Sequence, residues 1–343
     1  MIRAGDSLPW GLAEGACAVH SGPGSGQLPT SWLIDSPGSS WSGRRVTLIG
    51  RRLNVVPTIT IFDIVPIFQT SILFLIADVI TGGPMRGYRI VDLSLPILDG
   101  GGFLRPAHLT YFDHQSRGRL VAERFGLQLE DLGGRANAME EFSFLTCHTG
   151  THMDAPWHYG EMTAGGPALT IDQIPLDWCM GDGIWLDLGG RRAGEDITEA
   201  DLRQALERIG YTLKPRDIVL IRTGIANSYG EPGCDRMNPG VTAEATTWLG
   251  GQGIRVVGID AGIWDRPMEM QLADLREGRS HDTFMQGHRA AGEYGMCILE
   301  WLTNLDRLPH TGFLLCAFPV KVHRAGGAWV RAVALVKDAE AAP

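Results

Sequence analysis

The chain lacks the excess of basic residues that a nucleic-acid partner requires: 39 acidic residues outnumber 30 basic ones, for a formal net charge of -9. Polyanions are held by a basic face or stripe, so nucleic acid is not an expected partner. Cysteine is sparse. The six cysteines, at positions 17, 147, 179, 234, 297 and 316, form no CxxC pair and lack the density of a disulfide scaffold. They read as reduced, mostly buried thiols of a cytoplasmic protein. A membrane-spanning run is also missing. Residues 55–80, VVPTITIFDIVPIFQTSILFLIADVI, are interrupted by Asp63, Pro66 and Asp78, and the longest charge-free interval, Ile64 to Ala77, has 14 residues. A spanning helix needs about 20 apolar residues, and the run starts too far along the chain for a signal peptide. No membrane association is therefore expected, and no fixed-period repeat marks a solenoid.

What remains is a composition that is 44% hydrophobic over 343 residues, enough to bury a large core. Up to about Gly50 the chain is rich in Gly, Ser, Pro and Arg without periodicity, the composition of a disordered or non-native leader. Residues 1–84 are expected to be that leader, with its short apolar run, and natural translation to begin at Met85, where MRGYRIVDLSLPI opens a domain over 85–343. From Arg89 onward strand and helix signals alternate. Strands are expected at 89–97, 183–190, 217–224 and 254–260, with 312–322 and 329–336 pairing across the turn HRAGGA. The clearest helix is 198–210, with Thr198 as N-cap, Asp201 at the third helical position and Gly210 as stop; a second follows in TAEATTWLGGQG. The expected class is α/β, many short strands with a few helices packed on them.

The stretch CHTGTHMDAPWHYG, residues 147–160, carries the chemistry. Gly150, two threonines and Pro156 disfavour a helix, and no glutamate follows His148 to make HExxH. In an extended chain His148 and His152 would lie about 13 Å apart at ~3.3 Å per residue. Ligands of one metal, with bonds near 2 Å, cannot be that far apart, so the backbone must bend at Thr149-Gly150-Thr151. Gly150 supplies the bend at low steric cost. Asp154 then returns to the side of His152, and Pro156 stiffens the exit toward His158. Two imidazoles and a carboxylate suit zinc or manganese with open water positions better than a closed structural site. A divalent ion there acidifies water and polarises a carbonyl, while His158 moves the proton.

HTGTHMDAPWH resembles the HxGTHxDxPxH signature of the cyclase-like metal-dependent hydrolases, which include bacterial kynurenine formamidase and isatin hydrolase; every fixed position is present. The resemblance runs from about Arg89 to Val336 and takes in PVKVHRAGGAWVRAVAL and LEWLTNLDRLP. It implies a swivelling β/β/α domain, a homodimer or homotetramer, and one or two zinc ions, with manganese as the alternative. It also implies roles: His148, His152 and Asp154 on the first metal, Asp154 bridging, His288 and Glu300 on the second, and His158 as general acid/base. The His288 and Glu300 pair matches the formamidase branch in spacing. At ~100° per residue an unbroken helix would leave the two about 120° apart, so a break is expected at Gly292 and Gly295. Without the resemblance, both would be assigned to the surface.

Smaller signals complete the reading. Cys147 is expected to be a buried thiol pointing away from the metal. GIDAGIWDRP, residues 258–267, places Asp260 and Trp264 after a buried strand, where substrate contacts often lie. Trp157 could wall an aromatic substrate or pack at a subunit contact, GGP at 165–167 is a turn, and His114, His281 and His323 are surface or structural. The expected activity is hydrolysis of a small amide, with formylkynurenine as the type substrate that the resemblance implies. A lactone or cyclic amide would use the same machinery, and a non-catalytic metal-stabilised module is the rival from another class. The stretch 101–134, longer than in compact formamidases, leaves the substrate open.

Overall fold

The computed structural model describes residues 43–47, 58–62, 87–100, 107–143 and 145–338, and the chain divides into two units, Met1–Pro84 and Met85–Pro343. In the first unit the described residues are two strands, Gly43–Thr47 and Thr58–Phe62, paired antiparallel. The rest of the apolar run 55–80 lies outside the described residues. No helix among the described residues is long and apolar enough to cross a membrane.

The second unit is an α/β domain built on a nine-stranded sheet. Its strands in chain order are β1 (Tyr88–Asp92), β2 (His152–Asp154), β3 (Met180–Asp187), β4 (Ile218–Arg222), β5 (Val256–Ile259), β6 (Cys297–Glu300), β7 (Phe313–Cys316), β8 (Gly327–Trp329) and β9 (Val333–Lys337). Their order across the sheet is β8-β2-β6-β5-β4-β3-β7-β9-β1. The central four, β3 to β6, are parallel, and every other pairing is antiparallel. Parallel strands are covered on both faces, which is why β4 reads IVLI and β5 reads VVGI without polar alternation.

Alternating side chains divide the core in two. Ile184, Leu186, Val219, Ile221, Val257 and Ile298 face the layer formed by helices α1 (Glu199–Ile209), α2 (Ala243–Gly251) and, later in the chain, α4 (Gln286–Glu293). Trp185, Leu220, Val256 and Leu299 face the opposite cluster with Leu302, Phe313 and Leu315. Between α2 and α4 runs α3 (Met268–Arg276).

Helix α1 forms where the sequence places it. The Thr198 hydroxyl accepts from the Asp201 amide, the Asp201 carboxylate accepts from the Thr198 amide at 2.8 Å, and Gly210 ends the helix at φ 64°. Replacing Thr198 with alanine removes one acceptor of the first turn and is expected to cost about 1 kcal/mol. For a domain of this size, thermal melts should then show Tm about 2–4 °C lower.

Two expectations need correction. Strands β7 and β9 do pair, but HRAGGA is not a simple hairpin turn between them. After Pro319 bridges to Val330, the residues between them include β8, which crosses to the far edge of the sheet and pairs with β2. The exposed backbone edge of β2 is thereby satisfied. Cysteines are less buried than expected: Cys179 and Cys297 are buried, while Cys147, Cys234 and Cys316 are half-buried, all five as free thiols. The 101–134 stretch, where described, begins an excursion outside the main sheet: a strand, His108–Phe112, leads to a helix, His114–Phe125, and pairs with Met139–Ser143.

Candidate metal centre

The centre is assembled by β2. Gly150 bends the chain into it at φ 67°, a left-handed conformation that glycine adopts without penalty. The bend brings the His148 and His152 rings to 5.0 Å between centroids, where an extended chain would have separated them. Thr151 pins the turn: its hydroxyl donates to the Trp301 carbonyl and accepts from the Leu95 amide at 2.8 Å. Beyond β2, Pro156 opens a single helical turn, Pro156–Tyr159, that swings His158 back over the strand.

His288 and Glu300 join from the other side of the sequence. His288 sits near the start of α4 and Glu300 at the end of β6, both buried, so the surface placement is overturned. The chain reverses at Gly295, at φ 64°; Gly292 stays inside α4, where a Cβ would come 3.1 Å from Tyr159 Cβ. Strand β6 then runs beside β2, setting Glu300 opposite His152.

Asp154 is the hub. Its carboxylate lies 2.7 Å from His148 Nδ1, 3.3 Å from His152 Nε2, 3.5 Å from His288 Nε2 and 3.9 Å from His158 Nε2. Glu300 lies 3.5 Å from His152 Nε2 and 3.4 Å from His288 Nε2. His152 donates from Nδ1 to the Gly150 carbonyl at 2.8 Å, which turns Nε2 toward the two carboxylates. Yet His152 Nε2 and Asp154 Oδ2, both buried, make no hydrogen bond. Buried polar atoms rarely stay unpaired. Convergent imidazole and carboxylate atoms left unbonded are the donor set of a divalent cation.

Two overlapping triads have ligand atoms close enough for one ion each, His148/Asp154/His158 and His152/Asp154/Glu300. Asp154 belongs to both groups, and the expected first-ion set of His148, His152 and Asp154 is divided between them. Electrostatics follow the same geometry. Burial would lower His152, but the Asp154 and Glu300 carboxylates outweigh it and hold the imidazole up to about 9. Burial would raise Asp154, but the surrounding imidazoles keep it well below the usual carboxylate range. Burial lowers His158 to about 4; Asp154 opposes this and the neighbouring histidines add to it.

The cluster opens on one side. His148 and His158 keep 31% and 33% of their side chains exposed, whereas His152, His288, Asp154 and Glu300 are at most 5% exposed. A glycine pair lets β8 close the other flank: a Cβ on Gly327 would meet His148 Cε1 at 2.9 Å, and one on Gly326 would meet His158 Cα at 3.3 Å.

The remaining sequence-derived sites fall apart in space and role. Trp157 is 43% exposed beside His158. Asp260 is buried, and its carboxylate accepts from the Thr223 amide and hydroxyl and the Gly224 amide, so it anchors a turn instead of meeting a substrate. Trp264 is fully buried; its indole donates to Thr246 and its amide donates to Glu300 at 2.8 Å. The substrate-contacting loop expected there is a buttress for Glu300. Tyr159 and Asp265 touch the histidines and went unread. Tyr159 follows His158 in the Pro156-initiated turn, while Asp265 shares the 258–267 loop with nothing in a single sequence to set it apart from Asp260.

Comparison with known proteins agrees with this architecture. A kynurenine formamidase from Erythrobacter litoralis (strain HTCC2594) is 29% identical over 189 residues, covering 55% of this chain and 73% of that protein. Among solved structures, an isatin hydrolase bound to the product analogue thioisatinate aligns with a TM-score of 0.61 at 20% identity, over 79% of this chain and 99% of that one. Isatin hydrolase A from Ralstonia solanacearum gives 0.60 at 23% identity, over 78% and 97%. At such identities the likeness is one of fold. A family model described as putative cyclase matches residues 91–266, which hold the whole of β2 and its histidines. That match spans just over half of the sequence, and the chain belongs to the putative cyclase family.

Proposed function

We propose that the protein is a metal-dependent hydrolase of a small amide, arylformamidase-like, with formylkynurenine cleaved to kynurenine and formate as the model reaction. The observation that carries this reading is the unbonded pair His152 Nε2 and Asp154 Oδ2, buried among Glu300 and His288 and open to solvent on the His158 side. Similarity to the kynurenine formamidase supports the amide class. Imidazoles and carboxylates suit one or two zinc ions, with manganese the alternative. When bound, such an ion acidifies water and polarises the scissile carbonyl.

The residues around it divide the remaining work. Asp154 and Glu300 hold the buried imidazoles in register. His158, kept neutral at neutral pH by burial, accepts a proton from the attacking water and returns it to the departing nitrogen. Its partial exposure supports an exchange on the open side of the cluster. A closed structural site would surround its ion with four protein ligands and no open face, so the two exposed imidazoles favour catalysis over a metal-stabilised module.

The test is formylkynurenine hydrolysis by the full chain, with isatin and a simple lactone assayed alongside, before and after chelator treatment. Chelator-sensitive turnover of the formamide is expected, and turnover that ignores the chelator would overturn the reading. His158→Gln should lower kcat by roughly 10²–10⁴-fold with metal content unchanged. If metal disappears with activity, His158 is a ligand and not the proton carrier.

A further inference from the structure

We propose that Asp265 is the positioning residue that makes His288 a competent metal ligand, by fixing its tautomer and the start of the helix that carries it; this rests on the metal reading above. Asp265 is 2% exposed. One carboxylate oxygen accepts from the Gly287 amide at 2.7 Å; the other accepts from the His288 amide at 3.0 Å and from His288 Nδ1 at 2.6 Å. No arginine or lysine among the described residues pairs with it, so its acceptor capacity goes to these three donors.

The consequence for His288 follows from the imidazole itself. A carboxylate can only accept, so Nδ1 carries the hydrogen, and the Nε2 lone pair is left facing Asp154 at 3.5 Å and Glu300 at 3.4 Å. A carboxylate behind a ligating histidine also raises its basicity, and such partners are worth roughly 10–100-fold in metal affinity.

The helix start is arranged around this contact. Met285 at the N-cap offers no side-chain cap, so amides at the start of α4 are taken by residues from before and within α3: Gln271 accepts from the Met285 amide at 2.7 Å, and Asp265 accepts from the Gly287 and His288 amides. Gly287 allows the approach, because a Cβ there would meet the Val241 carbonyl oxygen at 2.7 Å and Asp265 Oδ2 at 3.3 Å. Asp265 and Gln271 therefore separate two roles. Both anchor the helix, and Asp265 alone orients the ring.

That separation gives the experiment. Full-length wild type, Asp265→Asn and Gln271→Met are stripped with chelator, melted, and titrated with zinc against a chelating dye. An asparagine cannot satisfy all three donors: whichever way its amide is turned, its NH2 meets at least one N–H, and no negative charge is left behind the His288 ring. Zinc affinity of Asp265→Asn should fall roughly 10–100-fold. Gln271→Met should lose thermal stability while keeping zinc affinity within about twofold of wild type, since the orienting carboxylate is intact. Asp265→Asn that binds zinc as tightly as wild type overturns the proposal. Wild type that binds no zinc and no manganese overturns the underlying metal reading, a separate outcome. If Asp265→Asn does not fold, long-range ¹H–¹⁵N spectra of zinc-loaded wild type decide: a His288 hydrogen on Nδ1 is the expected result, and one on Nε2 overturns it.

Discussion

Asp154→Asn is expected to abolish function while nearly preserving side-chain volume. Four imidazoles converge on this carboxylate, at 2.7, 3.3, 3.5 and 3.9 Å, so it links the exposed pair to the buried pair. An amide removes the negative charge and one anionic oxygen, and a site that depends on charge to hold a cation loses several kcal/mol of stabilisation. At 1.36 kcal/mol per tenfold, turnover should fall at least about a thousandfold. Elemental analysis of the same protein should show its metal lost. A variant retaining metal and turnover would remove Asp154 from the centre of the site.

The largest effect on stability is expected at Gly240, which is not itself a proposed ligand. A Cβ there would lie 2.2 Å from the Arg266 amide nitrogen and 2.7 Å from the Asp265 carbonyl carbon, both backbone atoms that no rotamer change can move. Overpacking usually costs about 1–3 kcal/mol, and a clash with backbone belongs at or above the top of that range. Gly240→Ala should lower Tm by roughly 6–12 °C. Gly251→Ala is the internal control, because a Cβ on Gly251 meets nothing within 4 Å. Equal melting of the two variants would show that the 265–266 turn has room to move. The displacement should also reach the metal, since Asp265 is the residue pushed.

The parts of this molecule that were legible in the sequence are those whose causes are local. The ends of α1 are written in Thr198, Asp201 and Gly210, and the bend of the metal loop in Gly150. Resemblance drew attention to His288 and Glu300, which charge alone would have sent to the surface. What could not be read depends on pairing between distant segments. The crossing of β8 to the β2 edge is a choice among unsatisfied backbone edges, and no residue near HRAGGA announces it. Trp264 and Asp260 differ from expectation for the same reason: a loop after a buried strand can face solvent or be covered, and here Trp264 is buried against Glu300 and Asp260 against the Thr223–Gly224 turn. Asp265 shows its importance only once His288 is beside it.

The place of β2 between β6 and β8 sets an order of events during synthesis. The loop with three of the proposed ligands and His158 leaves the ribosome well before its flanking strands, and it has no neighbour to align it until the C-terminal part of the chain follows. Contacts of such long sequence separation form late and slowly. A nascent chain stalled ahead of Gly327 would carry all five proposed ligands and His158 and still have no second flank for their loop. On the metal reading proposed above, capture of an ion would wait for completed synthesis, and a shortened chain should be recognisable by its failure to take up metal.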